Sequence, residues 1–207
     1  RRVLFRSGVA NGAGDGLRSG AQFNYVSGVT IDPKGNLFVA DSRARTIRRI
    51  TPTGSVSTFA GHAAGLASLD GHFTWLPLTD GMGQDARIAP AAGSLTVATN
   101  GTLLFSDGFG ETIRKSTPDG AVTTLVHPGT YGPMAADHLG NIYLSDRYQC
   151  IRKITPTRSV QVFAGSPDQP GCKTGIGAAA RLAPQGVAVD SRSEEHTSEL
   201  QSRFGIS

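Results

Sequence analysis

The stretch 28–61, GVTIDPKGNLFVADSRARTIRRITPTGSVSTFAG, constrains the chain more than any other. GVTID is bounded by Asp32-Pro33-Lys34-Gly35-Asn36, and LFVAD follows at once. A polar break, SRAR, precedes TIRRI, and Thr51-Pro52-Thr53-Gly54 leads into SVSTFAG. Each run is a few residues long, rich in Val, Ile, Phe and Thr, and closed by Pro, Gly or Asp, which reads as strands separated by turns. Four such runs in about 35–40 residues make one antiparallel meander, the size of a propeller blade.

The pattern recurs. A second copy spans about 94–126, with LLFSD ending at Asp107, TIRKS around Arg114 and the turn Pro118-Asp119-Gly120. A third spans about 133–165, with NIYLSD ending at Asp146, CIRKI around Arg152, and VQVFAG. From about Ala183, APQGVAVD restarts the first strand of a fourth. The interval from Asp41 to Asp107 is 66 positions and that from Asp107 to Asp146 is 39. The long connector 62–88 accounts for the excess, and insertions that fall between copies mark the hand-over from blade to blade. The expected fold is all-β: a partial β-propeller of three four-stranded antiparallel blades plus the first strand of a fourth.

The two ends read differently. The opening RRVLFRS can be encoded by DNA whose reverse complement encodes RSEEHTS, residues 192–198. Residues 1–7 and 192–207 resemble translated short-read sequencing adapter, so the repeat reading is confined to 8–191. On that reading the native start and end lie outside the chain. The whole chain carries 20 basic and 16 acidic residues. Without the five Arg and three Glu of these end segments, 15 basic and 13 acidic remain, a net charge of +2. A nearly neutral domain gives little electrostatic reason to expect nucleic acid or anionic lipid. No run of about 18 apolar residues is present to span a membrane.

These residues resemble the NHL-repeat family, whose repeat couples a D-x-x-G-N turn, a strand ending V/I-A/S-D, an I-R-K-I strand and a P-x-G turn. The match lies at Asp32, Gly35, Asn36, Ala40, Asp41, Ile47, Arg48, Ile50, Pro52 and Gly54. It returns at Asp137, Gly140, Asn141, Ser145, Asp146, Ile151, Arg152, Ile154 and Pro156. The connectors ending DGMGQDARI, GIGAAARL and DGLRSGAQF also look like this family's linkers. Ala98, Ser116 and Arg158 depart from the pattern, which reads as drift in turns and an outer strand. The resemblance implies six blades in the parent, with missing blades needed for closure.

Asp41, Asp107 and Asp146 each end a second strand, on the face from which the connectors emerge. A ring of carboxylates could hold a metal, but an Asp present in every copy fits an architectural role, accepting backbone N–H bonds of the loop it starts. Arg48, Arg114 and Arg152 recur equally, and are expected along the blade surface or paired with the repeated Asp. The histidines do not recur. His62 and His72 lie in the connector 62–88, which also holds Phe73 and Trp75, and this aromatic loop is either a partner contact or a cover for the blade edge. His127 matches Gly61, and His138 sits in a turn on the opposite face. No two have metal-ligand spacing.

Cys150 opens a third strand on the connector face, and Cys172 follows Gly165 by seven positions. A disulfide between them is geometrically allowed and suits a secreted or periplasmic protein. The functional expectation is a non-catalytic scaffold, without cofactor, that binds a protein or carbohydrate through connector-face loops. The alternative is a propeller lyase or hydrolase, resembling amidating lyases or lactonases, with a divalent metal in the central channel.

Overall fold

The computed structural model describes residues 14–62, 77–108, 112–130, 132–167, 169 and 171–190. Both adapter-like segments, and His72, Phe73 and Trp75, lie outside them. The first connector contributes β1 (Gly16–Leu17), and the first blade is built from β2 (Val26–Ile31), β3 (Leu37–Asp41), β4 (Thr46–Ile50) and β5 (Ser55–Ala60). The next connector contributes β6 (Gly81–Met82), and the second blade is β7 (Pro90–Val97), β8 (Leu103–Asp107), β9 (Thr112–Ser116) and β10 (Ala121–Val126). The third is β11 (Met134–Ala136), β12 (Ile142–Asp146), β13 (Cys150–Ile154) and β14 (Val160–Gly165). Every pairing between them is antiparallel. Among the described residues there is no α-helix, so none is long and apolar enough to cross a membrane.

The tight turns show why these runs pair in this register. Asp32 accepts the N–H of Lys34 at 2.9 Å and of Asn36 at 2.8 Å, closing the β2–β3 turn over Gly35 at φ +81°. Asp137 does the same for Leu139 and Asn141 in the third blade. Where the second blade has Ala98, the carboxamide oxygen of Asn100 accepts the Thr102 N–H at 3.0 Å instead, and Gly101 keeps φ +81°. Arg158 occupies the left-handed position of Gly54 and Gly120, at φ +67°, a conformation that costs a side-chain-bearing residue about 1–2 kcal/mol.

The first strands β2, β7 and β11 lie side by side, so the sheets stand face to face around one edge, as blades of a propeller do. Alternation along each strand then sends apolar side chains into the two seams. Phe38, Ala40 and Ile47 of the first blade meet Leu95, Leu103, Phe105 and Val122 of the second, with Phe38 edge-to-face on Phe59 at 4.8 Å. Leu104 and Ile113 of the second meet Met134, Ile142, Leu144 and Ile154 of the third. Truncating a buried aromatic such as Phe105 to Ala removes about 3–5 kcal/mol. The outer faces of the arc stay open, leaving Val29 and Ile31 exposed at one end and Phe163 and Ile176 at the other.

Two boundaries differ from the sequence reading. The strand β7 begins at Pro90, ahead of the expected 94, because a register irregularity between Pro90 and Leu95 absorbs the extra residues. Residues 183–190 form no strand. A strand exists only through a neighbour's hydrogen bonds, and no described strand pairs with this segment. The Pro184 carbonyl accepts a bond from the Ser145 hydroxyl at 3.0 Å, which ties this segment to the third blade.

Candidate functional site

Asp41, Asp107 and Asp146 are sealed from solvent at the ends of β3, β8 and β12. Asp41 accepts the backbone N–H of Asn24 at 2.7 Å, Tyr25 at 2.8 Å and Ala44 at 3.2 Å. Asp107 accepts those of Ala89 and Gly108 and the Arg114 guanidinium. Asp146 accepts the Tyr148 N–H, the Thr130 hydroxyl and Arg152 Nε. Burial pushes Asp107 above the ordinary carboxylate value, against the pull of Arg114 and the two N–H groups. For Asp146 burial also pushes up, but Thr130, Arg152 and the Tyr148 N–H together hold it below that value. Each carboxylate is consumed by the chain segment it starts or receives.

The repeated arginines bind connectors. Arg48, fully buried, donates to the carbonyls of Gly14 and Gln22 at 2.9 Å and to Asp15 at 2.7 Å. Arg114 donates to the carbonyls of Thr79 (2.7 Å) and Arg87 (2.9 Å), and to Asp80 and Asp107, both at 2.8 Å. Neither lies along the blade surface: each reaches back 26 to 35 positions to grip the connector preceding its own blade. The segment before the third blade is short, and Arg152, part-exposed, turns to Asp146.

Between these clamps the connectors are ordered. The second forms a double bridge between Thr79 and Arg87, with N–H to carbonyl distances of 3.1 Å each way, around a 3-10 turn at Gly83–Asp85. Another connector repeats the frame with Lys173, Arg181 and the turn Gly177–Ala179. In sequence these segments read only as connectors between blades.

His62 is the only one of the four expected contact residues within the described chain, and it lines a cavity of about 290 Å³ on the connector face. Arg45, from the β3–β4 loop, forms another wall. Gln84, Asp85 and Arg87 come from the second connector, with Leu78 and Ile88 as the apolar part of the lining. Gly61 makes this junction possible: at φ +86° it approaches so closely that a Cβ would meet the Arg45 carbonyl oxygen at 2.3 Å and Ile88 Cγ1 at 2.7 Å. Arg45, Gln84, Asp85 and Arg87 were not singled out from sequence. One signal was present: the matching positions in the third copy and its connector are Gln149, Ala178, Ala179 and Arg181, so three of the four do not recur.

The other two described histidines, His127 and His138, do not line this cavity. His127 bonds the Thr112 hydroxyl at 3.0 Å, and His138 is exposed in the β11–β12 turn. Among the described residues no three His, Cys, Asp or Glu side chains gather where they could share a metal ion. The expected bond between Cys150 and Cys172 is not formed. Cys150 is buried in β13 with Sγ 3.6 Å from the Asp146 carboxylate, whereas Cys172 is exposed in the connector. Burial, and then the Asp146 charge, push the Cys150 thiol up to about 11.

No protein-family model and no curated protein sequence matches the chain. Solved structures do. A structural-genomics protein of unknown function from Bacteroides thetaiotaomicron matches with a TM-score of 0.53 at 19% identity, covering 80% of this chain and 42% of its own. A catalytically inactive virginiamycin B lyase from Staphylococcus aureus with quinupristin matches with a TM-score of 0.45 at 18% identity, over 67% of this chain and 40% of its own. The nidogen/laminin complex gives a TM-score of 0.45 at 15% identity, over 67% and 48%. This chain therefore spans less than half the length of each. At these identities the likeness concerns the fold alone, and that fold is an all-β, propeller-like arrangement of antiparallel sheets.

Proposed function

We propose that the chain is part of an NHL-repeat-type propeller scaffold that binds a protein or carbohydrate through its connector-face loops. One observation carries this reading: the frame of the connector cavity repeats, while most of its polar lining does not. Architecture recurs in a repeat protein, because each copy meets the same packing demand. A side chain present once, on a frame present twice, answers a different demand. The repeated Asp and Arg are absorbed by backbone and connector bonds, which leaves the cavity around His62 as the chemistry particular to this protein. A lyase or hydrolase working through a central-channel metal would need donors beyond the described residues, which bring no three together.

The test is an array of purified glycans and proteins probed with the wild-type chain and with a variant carrying Arg45→Gln, His62→Ser, Gln84→Ala and Asp85→Ala, the residues of the third copy and its connector. Binding by the wild type that the variant loses supports the reading. Equal binding by both contradicts it.

A further inference from the structure

We propose that Asn100 is a modification site, the acceptor of an N-linked oligosaccharide transferred from a polyprenyl-diphosphate donor as the chain is exported. The β7–β8 turn departs from its two counterparts at two positions together. In the first and third blades the turn Asp accepts from the carboxamide of the Asn four positions on, Asp32 from Asn36 at 2.8 Å and Asp137 from Asn141 at 2.7 Å. The second blade has Ala98 and Thr102 at those positions. Its turn closes by another route: Asn100 Oδ1 accepts the Thr102 N–H at 3.0 Å, and the Gly101 N–H bonds the Ala98 carbonyl at 2.8 Å. An acceptor oxygen at position 100 is all that this closure uses, and Asp would supply it as well as Asn. The amide nitrogen and the Thr102 hydroxyl are surplus to it. Among the described residues neither Asn100 Nδ2 nor Thr102 Oγ1 has a hydrogen-bond partner.

Those two surplus groups make Asn-Gly-Thr, an amide and a hydroxyl two positions apart with no Pro between them, the acceptor pattern for N-glycosylation. Of the five Asn in the sequence, only Asn100 is followed two positions on by Ser or Thr. The bond from the Thr102 N–H turns the side-chain oxygen toward the backbone and leaves the nitrogen at the exposed tip of the turn. Gly101, at φ +81°, adds no side chain beside it. In the transfer, Nδ2 attacks the anomeric carbon of the donor's first sugar. The new N–C bond forms as the bond from that carbon to the diphosphate oxygen breaks. The polyprenyl diphosphate leaves with the electron pair, and one amide proton passes to a base of the transferase. A turn between first and second strands emerges opposite the loop between second and third. A glycan at Asn100 therefore sits on the face opposite the connectors and leaves the cavity at His62 open.

The experiment expresses the full chain behind a secretion leader in a eukaryotic host. Secreted material is compared by intact mass, before and after treatment with peptide:N-glycosidase, for the wild type, Thr102→Ser, Thr102→Ala and Asn100→Gln. The wild type should carry one oligosaccharide, which the glycosidase removes while converting Asn100 to aspartate. Thr102→Ser should carry the same oligosaccharide at equal or lower occupancy, because it keeps the hydroxyl. Thr102→Ala and Asn100→Gln should carry none. Thr102→Ala retains Asn100 and the backbone N–H that it accepts, and so covers the case in which Asn100→Gln fails to fold. A secreted wild-type chain without sugar, or an oligosaccharide that persists in Thr102→Ala or in Asn100→Gln, would overturn the inference.

Discussion

Arg114 and Asp107 face each other inside the second blade, Nη1 to Oδ2 at 2.8 Å, with both side chains closed to solvent. The same guanidinium holds the second connector through Thr79, Asp80 and Arg87. One side chain thus joins blade and connector. Arg114→Ala leaves the buried Asp107 carboxylate without its cation and takes one of two donors from each of the Thr79 and Arg87 carbonyls. The expected loss is about 3–5 kcal/mol, the usual result of removing one partner of a buried pair. Chemical denaturation of Arg114→Ala beside Arg152→Ala measures it, and the part-exposed Arg152 should give the smaller loss.

Gly61 is expected to be intolerant. Its φ of +86° is left-handed, and a Cβ would press on the Arg45 carbonyl oxygen, which belongs to the backbone and has no rotamer to escape by. Gly61→Ala should cost at least about 2 kcal/mol. Gly20→Ala, with nothing within 4 Å of the added Cβ, should stay within about 0.5 kcal/mol. Thermal unfolding of the two variants makes the comparison.

The turn carboxylate Asp137 gives a pH signature. Burial raises it, but the Asn141 side chain and backbone, the Leu139 N–H and the Tyr143 hydroxyl outweigh that and hold it below the ordinary 3.8. A carboxyl depressed in the folded state stabilises above its unfolded value and loses that stabilisation as pH falls through the folded one. The stability gap between wild type and Asp137→Ala should therefore be full above about pH 5 and shrink steadily below the ordinary carboxylate range. Urea midpoints measured down the acid limb test this. A gap that widens toward acid would mean the ionised form is not the one the turn favours.

The two thiols should react unequally. Cys172 is exposed, while Cys150 is buried with its thiol pushed up to about 11, and the thiolate is the reactive form. Native alkylation without reductant should add one iodoacetamide group, and unfolding should add the second. Mass spectrometry showing no adduct until reduction would establish a bond between the two.

The strands were legible because their signals are local. The apolar, β-branched and aromatic make-up of runs such as LFVAD and IYLSD, and the turn Asp with its Gly, lie within a few residues of what they determine, and the structure pairs those runs in the order read. The departures were legible only after folding: Asn100 replaces the missing turn Asp from two residues away. The connectors were not legible. Their order depends on Arg48 and Arg114, placed 26 to 35 positions along the chain, and no local pattern in DGMGQDARI announces that distant donor. The cavity escaped for the same reason, since its lining comes from segments far apart in sequence that Gly61 lets approach closely. Its one sequence signal was negative, the failure of Arg45, Gln84 and Asp85 to recur.

On the proposed function, recurring residues hold the blades and non-recurring ones bind. Its most direct test measures unfolding and ligand binding on the same samples of Arg114→Ala and of the fourfold variant at Arg45, His62, Gln84 and Asp85. Arg114→Ala should lose several kcal/mol of stability, while the fourfold variant should unfold within about 1 kcal/mol of wild type and no longer bind. A fourfold variant that binds as wild type does, or an Arg114→Ala chain as stable as wild type, would contradict it.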